Sequence, residues 1–528
     1  MNVDFVDYED IGMLHPITRA YINNDPKIQS LFQYGPSAKG LKEAIDNRNK
    51  FPVDRSLLVK QLREQYAGSE SKNVNEALDE LGQDNCFTVV TGHQLCLFTG
   101  PLYFIYKIFS AINLARDLRE LYPEKRFVPV YWMATEDHDF DEINHFHLEG
   151  KTIRWNKESN SAVGRLNLDG MDQVIQEVQD HLGDSLHACQ AWEPFVQAYQ
   201  QGKNLADATR KLVHALFPHD GLICVDGDDR ELKRVFIPAI EKELFEQVSE
   251  NSVQSTLETW KELGYKEQVG GRELNLFYLT DELRNRIVKT ETGFQVVGTD
   301  IHFTDSEIRE EYTNYPERFS PNVLLRPVYQ EMILPNLAYI GGGAEVAYWL
   351  QLKSTFESLN VFYPVVLLRN SFAFLNDKEV RKMNQLQLSA TEIFQSADEL
   401  LKLKVQEDSD SEPFFEDKKK EIQSLFAEIN QKLSAVDSNL GKSTKAAEVD
   451  QLNRMDSLLK KLIRTEKKQA HVTQERIAAV KALLEPDGKV QERYWNILQL
   501  LMIFGWPLMV ELRKHSDVLD FRLKLMYP

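Results

Sequence analysis

The sequence predicts an α/β fold: a Rossmann-like, doubly wound parallel core with helical insertions, plus an α-helical antiparallel coiled-coil arm. Three observations lead there. Apolar, β-rich runs alternate with helical periodicity from residue 86 onward. Glycine-rich and acidic segments follow those runs, where a parallel sheet opens its crevice. A repeat averaging 3.5 residues then fills much of the C-terminal part. The chain has 528 residues, 42% hydrophobic and 27% charged, room for three or four lobes at about 150 residues each.

Residues 1–85 read as a helical N-terminal region, punctuated by Pro16, Pro26, Pro36 and Pro52. Cys86-Phe-Thr-Val-Val90 is a strand that stops at Thr91-Gly92. A helix follows from Pro101, with Tyr103, Tyr106, Phe109, Ile112, Leu114 and Leu118 spaced mostly by three and four. Phe127–Met133 is a second strand, completing a βαβ unit with its right-handed crossover. Gly221–Val225 is a third, ending in Asp226-Gly-Asp-Asp229. Leu337–Ile340 leads through Gly341-Gly-Gly343 into a helix over Ala344–Leu359, then a strand in Val361–Leu368. The core therefore occupies 86–375, interrupted by insertions at about 150–215 and 230–320.

The arm occupies 376–485. Ile422, Leu425, Ile429, Leu433, Val436 and Leu440 are spaced 3, 4, 4, 3, 4, and Leu452, Met455, Leu459 and Leu462 continue the stripe. Ile477, Val480 and Leu484 form a third segment, beyond a thin stretch at Glu466–Lys468. Gly441-Lys-Ser-Thr444 reads as a loop between antiparallel helices; it is no P-loop, because the required earlier glycine is Val436. Segment 486–528, with Tyr494, Trp495, Phe504 and Trp506, is expected to pack on the core.

Lys plus Arg number 62 and Asp plus Glu 81, a net charge of −19. That argues against a nucleic-acid or anionic-membrane partner while leaving room for a local basic pocket. Cys86, Cys96, Cys189 and Cys224 form no CxxC and no disulfide framework. The acidic start does not resemble a signal peptide, and the longest apolar run, 497–510, is short and broken by Gln499, Gly505 and Pro507. These features predict a cytoplasmic protein.

Three clusters carry candidate chemistry. Thr91-Gly-His-Gln-Leu-Cys-Leu-Phe-Thr-Gly-Pro101 joins a strand to a helix, so His93 could exchange a proton and Gln94 clamp a ligand. Glu136-Asp-His-Asp-Phe-Asp-Glu-Ile-Asn144 concentrates five carboxylates at the end of the next strand. Asp137, His138 and Asp139 could poise a general base, grip an ammonium group or, with His145 and His147, hold a metal. The third cluster sets Arg326 beside the Gly341–Gly343 helix start, where backbone N–H groups favour an anion, with Arg369 as a second clamp. A glycine turn with no ligand explains the triple glycine equally well.

TGHQLCLFTGPLYFIYK, EDHDFDEIN, SPNVLLRPVYQ, AYIGGGAEVAYW and LLRNSF, in this order and followed by a coiled coil, resemble the cysteine ligases of bacillithiol biosynthesis (the BshC family) over essentially the whole chain. The resemblance implies a ligase that joins L-cysteine to the amine of glucosaminyl-malate and a homodimer made through the coiled coil. It implies no tightly bound metal. Fold analogy with class I aminoacyl-tRNA synthetases adds ATP or another nucleotide for carboxyl activation. The catalytic set so implied is His93, Gln94, Asp137, His138 and Asp139. Substrate contacts fall to Thr91, Gly92, Thr99, Tyr103, Trp132, Asn144, Arg326, Gly341, Gly342, Gly343, Glu345, Tyr348 and Arg369, with Arg326 and the glycine turn facing the malate carboxylates. This chain departs from the family at His93, where Gln is usual, so an imidazole is not obligatory there. It departs again at Gly343-Ala344, where Pro-Gly is usual. Two rival readings are a metal-dependent amide hydrolase and a non-catalytic nucleotide-binding dimeric scaffold.

Overall fold

The computed structural model describes residues 1–68, 71–182, 186–407 and 411–528. It divides into two compact units. The larger comprises Asp7–Phe372 and Glu492–Lys524, the smaller Met1–Val6, Ala373–Gln491 and Leu525–Pro528.

The larger unit is built on five parallel strands: β1 (Cys86–His93), β2 (Arg126–Met133), β3 (Ile223–Asp226), β4 (Asn336–Gly341) and β5 (Val365–Leu368), in the order β5-β4-β1-β2-β3. The chain steps outward from β1 through β2 to β3, then returns to the other side of β1 with β4. That reversal is where a doubly wound sheet opens its binding crevice. All eight residues of β1 are buried, which is why the strand reads as a nearly unbroken apolar run. Phe87, Val89, Phe127, Leu337, Ile340, Val365 and Leu367 form one core cluster with Leu114 and Leu118 of the crossover helix α1 (Tyr103–Leu121). Each such side chain contributes about 1.5–3 kcal/mol on burial.

Several boundaries differ from the sequence expectation. β1 runs on through Thr91, Gly92 and His93, which pair in register with Tyr131, Trp132 and Met133. The helix expected over 344–359 is two, α2 (Gly343–Trp349) and α3 (Lys353–Leu359), separated by Leu350, Gln351 and Leu352, all buried. The N-terminal region begins with a strand, Asn2–Asp7, before its helices. The first insertion holds a hairpin and the helices Met171–Leu182, Leu186–Gln201 and Leu205–Leu216. The second is not purely helical. After Arg230–Glu246 and Val248–Glu262 it forms an antiparallel sheet in the order His302–Phe303, Gly293–Val296, Arg284–Thr290, Leu276–Leu279, Phe319–Pro321. Within the larger unit the C-terminal helix Pro507–Lys514 lies against α1, where Asn113 donates to the Arg513 and Ser516 carbonyls at 2.6 and 2.9 Å, and Ile497–Phe504 packs on Leu186–Gln201.

In the smaller unit two long helices, Ser411–Ser434 and Ser438–Gln469, pack side by side across a three-residue link. Gly441-Lys-Ser-Thr444 lies inside the second helix, not in a loop. Asp437 caps that helix from upstream, and a Cβ at Gly441 would sit 2.1 Å from the Ser434 hydroxyl, so glycine permits the close approach at the turn. A separate helix, His471–Leu484, follows Ala470. Leu425, Ile429, Leu433, Val436, Leu440 and Leu462 of the stripe remain exposed. Among the described residues no helix is long and apolar enough to cross a membrane.

Candidate active site

A cavity of about 640 Å³ lies in the larger unit, lined by residues at the carboxyl ends of β1, β2 and β4. Because β1 and β2 end in register, His93 opposite Met133, the segments that follow them meet. Gln94 donates one amide proton to Asp137 Oδ2 at 2.9 Å and the other to Glu142 Oε2 at 3.0 Å. Both donors thus brace the acidic motif, and neither is free for the ligand clamp the sequence suggested. Glu136, Asp137 and Asp139 line the cavity; Asp141 and Glu142, in the turn Phe140–Ile143, do not.

Each acidic group has its own environment. Glu136 is buried against Lys233, whose ammonium also donates to the Phe319 carbonyl at 2.8 Å. Burial would raise the Asp137 carboxyl, but hydrogen bonds from His138 and Gln94, with the charge of Arg284, hold it well below the usual carboxylate range. His138 Nδ1 lies 2.8 Å from an Arg284 Nη1 donor. Asp139 is exposed, and its carboxylate meets only His138 Nε2, at 3.9 Å, among the described residues.

On the opposite wall, a Cβ at Gly92 would lie 3.2 Å from the Tyr339 hydroxyl and 3.7 Å from Arg326 Nη1, so glycine lets both approach the strand end. Lys107 donates to the Gly92 carbonyl at 2.7 Å and pairs with Glu345 at 2.5 Å. Glu345 also accepts from Tyr339 at 2.7 Å and from the Gly342 N–H at 2.9 Å. The helix start expected to hold a ligand anion is therefore capped by the chain's own carboxylate. Arg369 is likewise engaged: it is buried in a two-pronged pair with Glu492, at 2.8 and 2.6 Å, and stacks over Tyr103. Arg326 is steadied by Gln330 at 3.0 Å between the rings of Trp132 and Tyr339.

His93 is buried and donates Nδ1–H to the Gln94 carbonyl at 2.7 Å, which leaves Nε2 as a buried acceptor without a partner among the described residues. Burial first, then the charge of Lys107, pushes the ring down to about 3. A ring so hard to protonate is too weak a base for efficient proton abstraction near neutral pH.

Of the residues expected from sequence, Gly92, His93, Gln94, Tyr103, Trp132, Asp137, His138, Asp139, Arg326, Gly342, Glu345, Tyr348 and Arg369 line the cavity. Thr91, Thr99, Asn144, Gly341 and Gly343 do not. Thr91 donates across the sheet to the Ile340 carbonyl at 2.9 Å, and Asn144 accepts from Arg154 at 2.7 Å. Thr99 is buried in the β1–α1 turn with φ +75°. Gly341 ends β4, and Gly343 faces Leu14.

Sequence reading missed Lys107, Arg272, Arg284, Arg286, Tyr339 and Arg493 in the cavity wall. With these, seven cationic side chains face four carboxylates there. Arg272, Arg286, Arg326 and Arg493 have no carboxylate within ion-pair distance among the described residues, so they are open to a ligand anion. Asp137, His138 and Asp139 bring one donor atom each within 4.8 Å. His145 and His147 do not join them: both lie outside the cavity lining, and His147 stacks on Tyr494 at 3.9 Å. The wider set with His145 and His147, on which the hydrolase reading draws, is therefore not brought together.

This geometry defines a Rossmann-like α/β protein with a charge-divided cavity at the switch point of its sheet. Residues 1–370 match the family described as "Bacillithiol biosynthesis BshC, N-terminal Rossmann-like domain", and residues 372–528 its "C-terminal coiled-coil domain". The chain belongs to the BshC family. Relatives named "Putative cysteine ligase BshC" include one from Flavobacterium johnsoniae, 38% identical with 100% of both chains covered. Another, from Christiangramia forsetii, is 39% identical over 100% of this chain and 99% of its own. One from Bacillus cereus is 29% identical, covering 92% and 93%.

Proposed function

We propose that this protein is a cysteine ligase of bacillithiol biosynthesis, joining the L-cysteine carboxyl to the amine of glucosaminyl-malate. The observation that carries this reading is the division of charge in one cavity: four guanidinium groups with no carboxylate partner among the described residues, for an anionic substrate, and an exposed carboxylate, Asp139, for an ammonium group. Family membership supports this reaction. Arg326, held rigidly by Gln330 and two rings, is assigned to a malate carboxylate, and Asp139 to the amine.

A free carboxylate is a poor electrophile and its oxygen a poor leaving group, so the carboxyl must be activated before the amine attacks. ATP would serve, with AMP and pyrophosphate or ADP and phosphate as the departing products. Incubating the protein with both substrates, with and without ATP, and following product, AMP and ADP by mass spectrometry tests this. Amide formation supports the assignment; none under any nucleotide condition, with both substrates bound, overturns it. The exposed leucines and Ile429 of the arm favour a homodimer through that surface.

A further inference from the structure

We infer that Arg284, contributed by the antiparallel sheet of the second insertion, is a positioning residue that fixes the tautomer of His138. Its Nη1 lies 2.8 Å from His138 Nδ1. A guanidinium carries five donors and no acceptor, so the ring nitrogen facing it must offer a lone pair. The neutral imidazole then carries its proton on Nε2.

Arg284 has little freedom to do otherwise. Its Nε donates to the Ser320 hydroxyl at 3.0 Å, its Nη2 to the Pro321 carbonyl at 3.0 Å, and its guanidinium carbon sits 4.1 Å from the centre of the Phe277 ring. The residue is 8% exposed. Two acceptors and a ring thus orient the fork before any ligand arrives, and the group behind the imidazole sets its tautomer, as it does for other functional histidines.

The consequence concerns the direction of proton traffic. With Nδ1 engaged and the proton on Nε2, the neutral ring presents a hydrogen-bond donor to the cavity and no free lone pair. His138 therefore supports an oxygen of the reacting carboxyl as charge builds on it, and does not remove a proton from the amine. This refines the ligase reading and rests on it for the identity of the carboxyl; the tautomer itself does not.

The alternative tautomer has a ready partner. Asp137 Oδ1 lies 3.7 Å from Nδ1, so without Arg284 the ring would protonate Nδ1 and point it at that carboxylate. The test is 15N spectroscopy of the full-length protein labelled at the histidine ring nitrogens, with His138→Gln to assign the signals. In its neutral form the wild-type ring should show a non-protonated Nδ1 and a protonated Nε2. Arg284→Leu should invert that pattern or mix it, and Arg284→Lys, which keeps a donor, should preserve it. In steady-state assays Arg284→Leu should lower kcat on the order of a hundredfold, with partial recovery in Arg284→Lys. A protonated Nδ1 in the wild type, or an unchanged tautomer in Arg284→Leu, overturns the inference. An inactive wild-type protein with the expected spectrum would instead count against the ligase reading alone.

Discussion

Replacing His93 by glutamine should make the protein less sensitive to acid. His93 is 8% exposed, and its ring is pushed from 6.5 to about 3. The unfolded chain therefore binds a proton that the native state refuses. Stability from this group is complete above pH 6.5 and drains as pH falls toward 3. Between pH 7 and pH 5 the ring alone should remove about 2 kcal/mol. His214, pushed down to about 4 by burial and then by Arg210, adds a comparable loss in both proteins. The assay is urea unfolding of wild type and His93→Gln at the two pH values. The variant should lose about 2 kcal/mol less than the wild type across that interval. Equal losses would refute the picture of a buried neutral ring. Activity offers a second check: the His93→Gln protein should support turnover, and a fall of a hundredfold or more would return His93 to an acid–base role.

Glu492→Gln leaves Arg369 buried without its counter-charge and should cost about 3–5 kcal/mol in urea unfolding, while the paired change Arg369→Met with Glu492→Leu should recover most of it; a near-wild-type single variant would contradict the buried pair. Arg326→Ala should reduce kcat/KM for glucosaminyl-malate by at least about tenfold with little effect on stability, since a charge-assisted contact contributes about 1.5–3 kcal/mol; an unchanged value would remove Arg326 from the malate site. Ile429→Glu combined with Leu440→Glu should convert a dimer to a monomer in analytical ultracentrifugation without loss of helical circular dichroism, and an unchanged mass would place the interface elsewhere.

The central sheet was legible because parallel strands buried on both faces leave a mainly apolar run, as in Cys86–Val90 and Phe127–Met133, the second despite Pro129. Strand ends were harder. Thr91-Gly92 looks like punctuation, yet glycine is accepted in β1 because Tyr339 and Arg326 crowd the position. The break after Trp349 was hidden because every residue through Leu352 is apolar or buried, so periodicity gave no signal. The antiparallel sheet of the second insertion was illegible for a different reason. Its strands have two to seven residues, too short for alternation to stand out.

That failure explains the incomplete site. Arg284 lies 146 residues from His138 in sequence, on a strand with no motif, and only the folded insertion brings it to the ring. Gln94 could have been placed better, since two adjacent parallel strands ending together must bring their following residues into contact. The glycine turn misled in the opposite direction. Its N–H groups were expected to meet a ligand anion, but Gly342 N–H meets Glu345, three residues on, as a capping pattern would have suggested.

The charge of the site follows from the same local pairings. A chain of net charge −19 encloses a cavity in which cations outnumber carboxylates. The carboxylates there are largely committed: Glu136 to Lys233, Glu345 to Lys107, and Asp137 to donors from Gln94 and the His138 backbone. Four guanidinium groups have no carboxylate partner among the described residues, so a ligand that completes the site brings negative charge with it. Substrate capture should therefore weaken as ionic strength rises, and more steeply for the dicarboxylate than for cysteine.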